Sequence, residues 1–393
     1  MLHYIVPQTI RRLLPILGLT IFSSNLGNGI IAPLLPLYAE KLGATGLWLG
    51  IIFSGVSISS AIFMPFAGRF SDRRGRKLIL CAGLFGLTLM SFAYVWAHSI
   101  ASLTIVRFIQ GAASAMVLPI AQAYVGDITP EGEEGKWMGI FNATFITGFG
   151  SGPLLGGVIS DHFGMNTTFY TMGVLNLISF LGVAFFLPEI VQRRKTAGQF
   201  SFRGITASNV TRGIFSYQVG ASANRGIMTA FVPVFATIFI GLSPSFIGTI
   251  LTITIIGNSL LQVPSGNLAD KFNRRNMIIL GSLGVAVSML LTPLSNGFWV
   301  LLAIMAIGSI FDACATPPAM AAIIQEGRKY GMGVATSVSN MGGGLGMGLA
   351  PILAGFIVDS FDVKSAFYVA AAVVFLSTVV FSQFTRRSIV ARI

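Results

Sequence analysis

Apolar runs of about twenty residues follow one another along this chain, separated by short polar bridges, and a run of that length has the hydrocarbon core of a bilayer as its solvent. Backbone groups placed in hydrocarbon must be satisfied within their own segment, and such runs achieve this as helices. The runs fall at 13–38, 46–67, 78–97, 100–125, 137–160, 167–187, 209–238, 246–266, 277–295, 299–324, 333–357 and 365–385, which predicts an all-α integral membrane protein with twelve transmembrane helices. Charged residues make up only 10% of the chain and hydrophobic ones 54%, whereas roughly 25% charged residues are usual in soluble domains.

The bridge between the second and third runs, Pro65 to Lys77, holds Arg69, Arg73, Arg74, Arg76 and Lys77. Five cations this close cannot lie in hydrocarbon, and the positive-inside rule puts them on the cytoplasmic surface. With both termini on that side, 21 Lys and Arg residues fall in inner segments, while only Lys41 and Lys364 fall in outer loops. The basic excess, 25 Lys and Arg against 13 Asp and Glu, is thereby explained by topology, without a nucleic-acid partner. The first run follows Arg11 and Arg12 and is longer than a signal-peptide core, so it is expected to be a retained span. A multi-pass protein of a cell inner (cytoplasmic) membrane, monomeric in its bilayer, is the expectation.

The basic bridge recurs. Gly266, Asp270 and Arg274 repeat the spacing of Gly68, Asp72 and Arg76 after 198 residues, and the same offset carries Gly50 onto Gly248, Pro119 onto Pro317, Pro153 onto Pro351 and Asp161 onto Asp359. One register held across several spans implies two copies of a half-chain. Two pseudo-symmetric six-helix halves are predicted, residues 1–187 and 209–393, joined by a polar cytoplasmic linker at 188–208, with a cavity near the midplane.

Several groups of residues call for a physical account. In the first bridge, Gly68 permits close helix approach, Asp72 suits the positive N-terminus of a helix in the other half, and Gly75 suits a turn; Asn273 stands where the second copy would repeat that glycine. In span four, Arg107 and Gln110 lie inside an apolar run, where a guanidinium needs a partner or a wet cavity. In span five, Gly148, Gly152 and Gly156 share one helix face, Gly157 adjoins it, and Pro153 removes a backbone donor. Span eleven repeats the pattern around Pro351, with Ala for two of the glycines.

Together these stretches resemble the major facilitator superfamily, over nearly the whole chain. Gly68, Asp72, Gly75, Arg76 and Lys77, with Arg73 among them, match its motif A, a conformational latch; Gly266 and Asp270 belong to the second copy. The resemblance implies that Asp72 meets the start of span eleven near Gly331 to Gly333 in the outward-facing state. Arg107, Gln110 and Gly111 look like motif B of the proton-coupled members. Gly148, Gly152, Pro153, Gly156 and Gly157 resemble motif C, the signature of the antiporters, and this points to the twelve-span drug:proton antiporter branch.

A proton carrier must gain and lose charge within the cavity, and only one acidic residue, Asp312, sits in mid-span. Burial favours its neutral form and a nearby cation its charged form, so a moving partner makes it load and release a proton. Arg225, midway along span seven, is the proposed partner; a permanent ion pair that fixes packing is the competing reading. Asn25, Asn28, Tyr217, Gln218, Asn224, Arg225 and Asp312 are the predicted cavity residues, favouring neutral, zwitterionic or anionic cargo. Aromatic and Met side chains, Phe22 and Phe231 among them, are expected to supply an apolar lining.

Cys81 and Cys314 lie in apolar runs and read as packing residues, and the three histidines are isolated at membrane edges. No metal-ligand or nucleotide-binding spacing is present, so neither an enzyme nor an ATP-driven pump is expected, and no cofactor. Export of a small amphipathic molecule in exchange for protons is the functional expectation. A proton-independent facilitator or importer of a sugar or organic anion, a lipid or lysolipid flippase, and a non-transporting receptor or chaperone are the alternatives.

Overall fold

The structure is a computed structural model and describes residues 6–129, 133–189, 208–330 and 332–386. Among the described residues the regular structure is helical, and twelve spans are long and apolar enough to cross a membrane. They run Pro15–Lys41, Gly46–Arg74, Arg76–Trp96, Ile100–Ile128, Trp137–Phe163, Met165–Phe186, Asn209–Ile240, Pro244–Ala269, Arg274–Leu294, Phe298–Gly327, Ala335–Ser360 and Ser365–Thr385. The expected spans lie within a few residues of these, with one systematic difference. Span two continues as helix through the basic bridge to Arg74 and stops only at Gly75, because Arg and Ser are tolerated in a helix that has left the hydrocarbon. Within each unit, the span ends at its basic bridge define its basic side; the opposite ends form its far side. Most of the linker expected at 188–208 falls outside the described residues, as does Gly331.

Local irregularities also follow the 198-residue repeat. Span three ends in a 3-10 turn at Tyr94–Trp96 and span nine in one at Thr292–Leu294. Gly43 and Gly241, after spans one and seven, have φ of 82° and 75°, which lets the chain reverse in a left-handed turn without a Cβ penalty. The two bridges solve one problem differently. Gly75 turns at φ 101°, whereas Asn273 keeps an ordinary φ of −64° and accepts the amides of Arg275 and Asn276 on its side chain. A side-chain cap replaces the glycine turn.

The chain forms two compact units. The first comprises Met1–Gly43, Gly55–Ala197 and Ser243–Thr252; the second comprises Ala44–Ser54, Gly198–Leu242 and Ile253–Ile393. Within the first, Leu17, Ile21, Leu84, Ile120, Tyr124 and Val183 form an apolar core. Within the second, Tyr217, Ile278, Ala315, Ala319 and Phe381 pack together. Large apolar side chains also face outward, Phe185 and Trp299 each 76% exposed, as expected where the surrounding medium is lipid.

Candidate functional site

Asp312 lies halfway along span ten, half-buried in the second unit. Its Oδ2 accepts from Asn258 Nδ2 of span eight at 3.0 Å, and the same amide nitrogen donates to the Ser309 carbonyl at 3.0 Å. Asn258 Oδ1 in turn accepts from Gln262 Nε2 at 2.7 Å, which fixes the amide with its nitrogen toward the carboxylate. On another side of Asp312 is a cavity of about 10 Å³, lined by Tyr217, Ala221, Ser282, Val285, Ala315, Val374 and Ser377. This is about the space of a single water. The Thr316 hydroxyl donates to the Asp312 carbonyl, so the Tyr217 hydroxyl, 3.4 Å away, is the donor to Thr316.

Arg225 is exposed in the middle of span seven. It donates from Nη2 to Ser222 Oγ at 2.9 Å and makes no ion pair with Asp312 or any other described carboxylate. The two charged residues of this unit's mid-span region thus make no ion pair, and each bonds a neutral partner of its own. Gln218 bonds Ser339 of span eleven at 2.9 Å, and buried Asn224 donates to Met228 Sδ at 3.4 Å. Phe231 is fully buried.

In the first unit, Arg107 donates to Gln110 Oε1 at 2.9 Å, and the same oxygen accepts the Tyr94 hydroxyl at 2.5 Å. All three are buried, and a side-chain network meets this guanidinium. Asn25 is buried and donates to the Ile21 carbonyl of its own helix, and Asn28 is half-buried. Toward the basic side, a groove of about 400 Å³ is bounded by spans one, four and five, with Phe22, Trp137 and Phe141 among its almost wholly apolar walls.

Arg76 is the hub of the first basic bridge. Its side chain, 6% exposed, reaches Asp127 at 3.0 Å, Asp72 at 2.6 Å and Ser71 Oγ at 3.1 Å. Glu189 accepts the Lys77 amide at 3.0 Å and crowds Gly75, where a side chain would strike its carboxylate. Asp72 is therefore paired within its own bridge. At Gly68 nothing among the described residues lies within 4 Å of a Cβ position. Gly266 and Asp270 occupy the last turns of span eight's helix, which ends at Lys271.

The glycine face of span five lies against span one: a Cβ on Gly148 would meet Phe22 backbone, one on Gly152 would meet Gly29 and Ile30, and one on Gly156 would meet Ile30. Gly157 and Pro153 point elsewhere, to the far-side turns of span eight at Pro244, Ser245 and Gly248. Pro153 leaves its helix unbroken, and the next amide, Leu154, bonds Thr252 Oγ1 at 3.1 Å. At the end of span five Asp161 accepts from Ser243 Oγ at 2.9 Å and from the Ser245 amide at 3.0 Å, capping span eight. The equivalent contacts recur in the second unit. Gly50 meets Pro351, Gly355 meets Gly46, and Asp359 caps span two by accepting the Gly46 and Leu47 amides at 2.5 and 3.0 Å.

Asn258, Tyr94, Asp127, Glu189 and the capping role of Asp161 and Asp359 were outside the sequence-derived site. A polar residue within an apolar run flagged Asn258 in principle; the others acquire meaning only from partners far along the chain.

The chain matches the family described as Major Facilitator Superfamily over residues 17–240 and 214–389. It is 27% identical over 382 residues to "Multidrug resistance protein MdtG" of Proteus mirabilis, covering 91% of this chain and 92% of the relative. With "Quinolone resistance protein NorA" of Staphylococcus aureus it shares 26% identity over 369 residues, again 91% and 92% of the two chains. Among solved structures, a bacterial homologue of the human lysosomal transporter Spinster, inward-facing and occupied, superposes with a TM-score of 0.76 at 14% identity over 95% of this chain and 96% of that one. The twelve spans, the motifs and these matches agree: the chain belongs to the Major Facilitator Superfamily, a family of multi-pass membrane transporters, and resembles its drug:proton antiporter branch.

Proposed function

We propose that this transporter exports a small amphipathic molecule in exchange for protons, by alternating access, from the cytoplasmic side on which its cations gather. Asp312 carries the reading: it is the acidic residue found in the middle of a described span, beside a water-sized cavity and free of any permanent cation. A carboxyl group so placed exchanges a proton without first breaking an ion pair. The glycine pattern of span five supports export, and the aromatic groove of the first unit offers room for the apolar part of a cargo. Names of the relatives at 26–27% identity make quinolones and other drugs the first compounds to test.

Coupling requires that proton and cargo favour the two facing states differently. In proteoliposomes, Asp312→Asn is expected to abolish uphill norfloxacin transport driven by a pH gradient while sparing energy-independent exchange. Unchanged uphill transport in the variant would remove Asp312 from the mechanism.

A further inference from the structure

We infer that Arg225 is the receptor for an acidic group on the cargo, so that the transported class carries a carboxylate or a comparable anion. The inference rests on the reading of the chain as a carrier of small amphipathic molecules and narrows it. An arginine in mid-span is costly, and the cost is met by a carboxylate, by backbone or by water. Arg225 has no carboxylate: its one side-chain bond goes to the neutral Ser222 hydroxyl, and Asp312 is engaged by Asn258. A guanidinium has five donors in a fork that matches a carboxylate. Most of that fork is unused by protein, and the side chain is exposed.

An exposed guanidinium at this depth faces water, since hydrocarbon would not accept it. Its direction along the helix is informative. Ala221, one turn before it and on the same face, lines the small cavity at Asp312. The free fork therefore opens beside the proposed proton site, while Gly226, the next residue, is pressed against Met347 and Pro351 of span eleven.

The test uses the full chain purified in detergent, with norfloxacin and 2-naphthoate as acids and norfloxacin methyl ester and 2-naphthamide as their partners lacking the carboxylate. Phenylglyoxal modification of Arg225, read by mass spectrometry, is expected to be slowed at least about fivefold by an acid and not by its partner. In equilibrium dialysis, Arg225→Gln is expected to bring the acid down to its partner's affinity, a loss of about tenfold, and Arg225→Lys to keep part of the preference. Protection by neither acid, or equal protection by acid and partner, overturns the inference, and this readout needs no variant to fold. Equal weakening of acid and partner in Arg225→Gln also overturns it, by showing a structural role. Neither measurement involves a proton gradient, so its failure is distinguishable from loss of the exchange mechanism, which the Asp312→Asn transport assay reads separately.

Discussion

Replacing Arg76 by Met, which keeps the length of the side chain and removes its charge, exposes what the first basic bridge is for. The guanidinium is 6% exposed and lies between Asp127, whose side chain is 5% exposed, and Asp72, which is 57% exposed. Removing it leaves Asp127 buried and uncompensated, a loss of roughly 3–5 kcal/mol when one partner of a buried pair is deleted. The exposed partner behaves differently: Asp72→Asn gives up a solvated i,i+4 pair and is expected to cost about 0–1 kcal/mol. In Arg76→Met/Asp127→Leu, where both buried charges go together, most of the loss should return, giving a coupling of at least about 2 kcal/mol. Wild type, Arg76→Met, Asp127→Leu, the double variant and Asp72→Asn would be compared by SDS-driven unfolding in mixed micelles, followed by circular dichroism. If Arg76→Met and Asp72→Asn shift the transition alike, or if the double variant loses the sum of its parts, the buried pair is not what stabilises this end of the first unit.

Two further outcomes follow from the far side of the protein. Asp161→Ala and Asp359→Ala each remove a side-chain cap from a helix start, so each should lower stability by roughly 1 kcal/mol, and because the sites share no partner the losses should add; the same unfolding assay checks both. Gly152→Ala places a methyl group against the backbone of Gly29 and Ile30, which cannot rotate away, and should cost roughly 1–3 kcal/mol, whereas Gly18→Ala meets nothing within 4 Å and should be neutral or slightly stabilising by thermal melting.

The spans were legible because each is a long apolar run, and the repeat because one offset aligned glycines, prolines and acids in several of them. The glycine face of span five was legible as a packing surface, since small residues four apart allow no other strong reading, but its partner was not: span one lies more than a hundred residues away. Asp127 and Glu189 were passed over because they sit at span ends. Their partners, Arg76 and the Lys77 amide, are 51 and 112 residues distant. Arg225 and Asp312 were recognised as charges in hydrocarbon and expected to partner one another, but no ion pair joins them. That they bond Ser222 and Asn258 instead depends on side-chain directions in separate helices, about which spacing along one chain is silent.

The paired caps on the far side carry a consequence for descent. Subtracting 198 from the second member, Asp161 touches the position equivalent to Leu47, and Asp359, the equivalent of Asp161, touches Gly46 and Leu47 themselves. Gly50 with Pro351 and Gly248 with Pro153 obey the same exchange. Residue i meets residue j, and j meets i, which is the rule of a contact across a two-fold axis between identical chains. A single six-span chain of this sequence type already contains both sides of the contact.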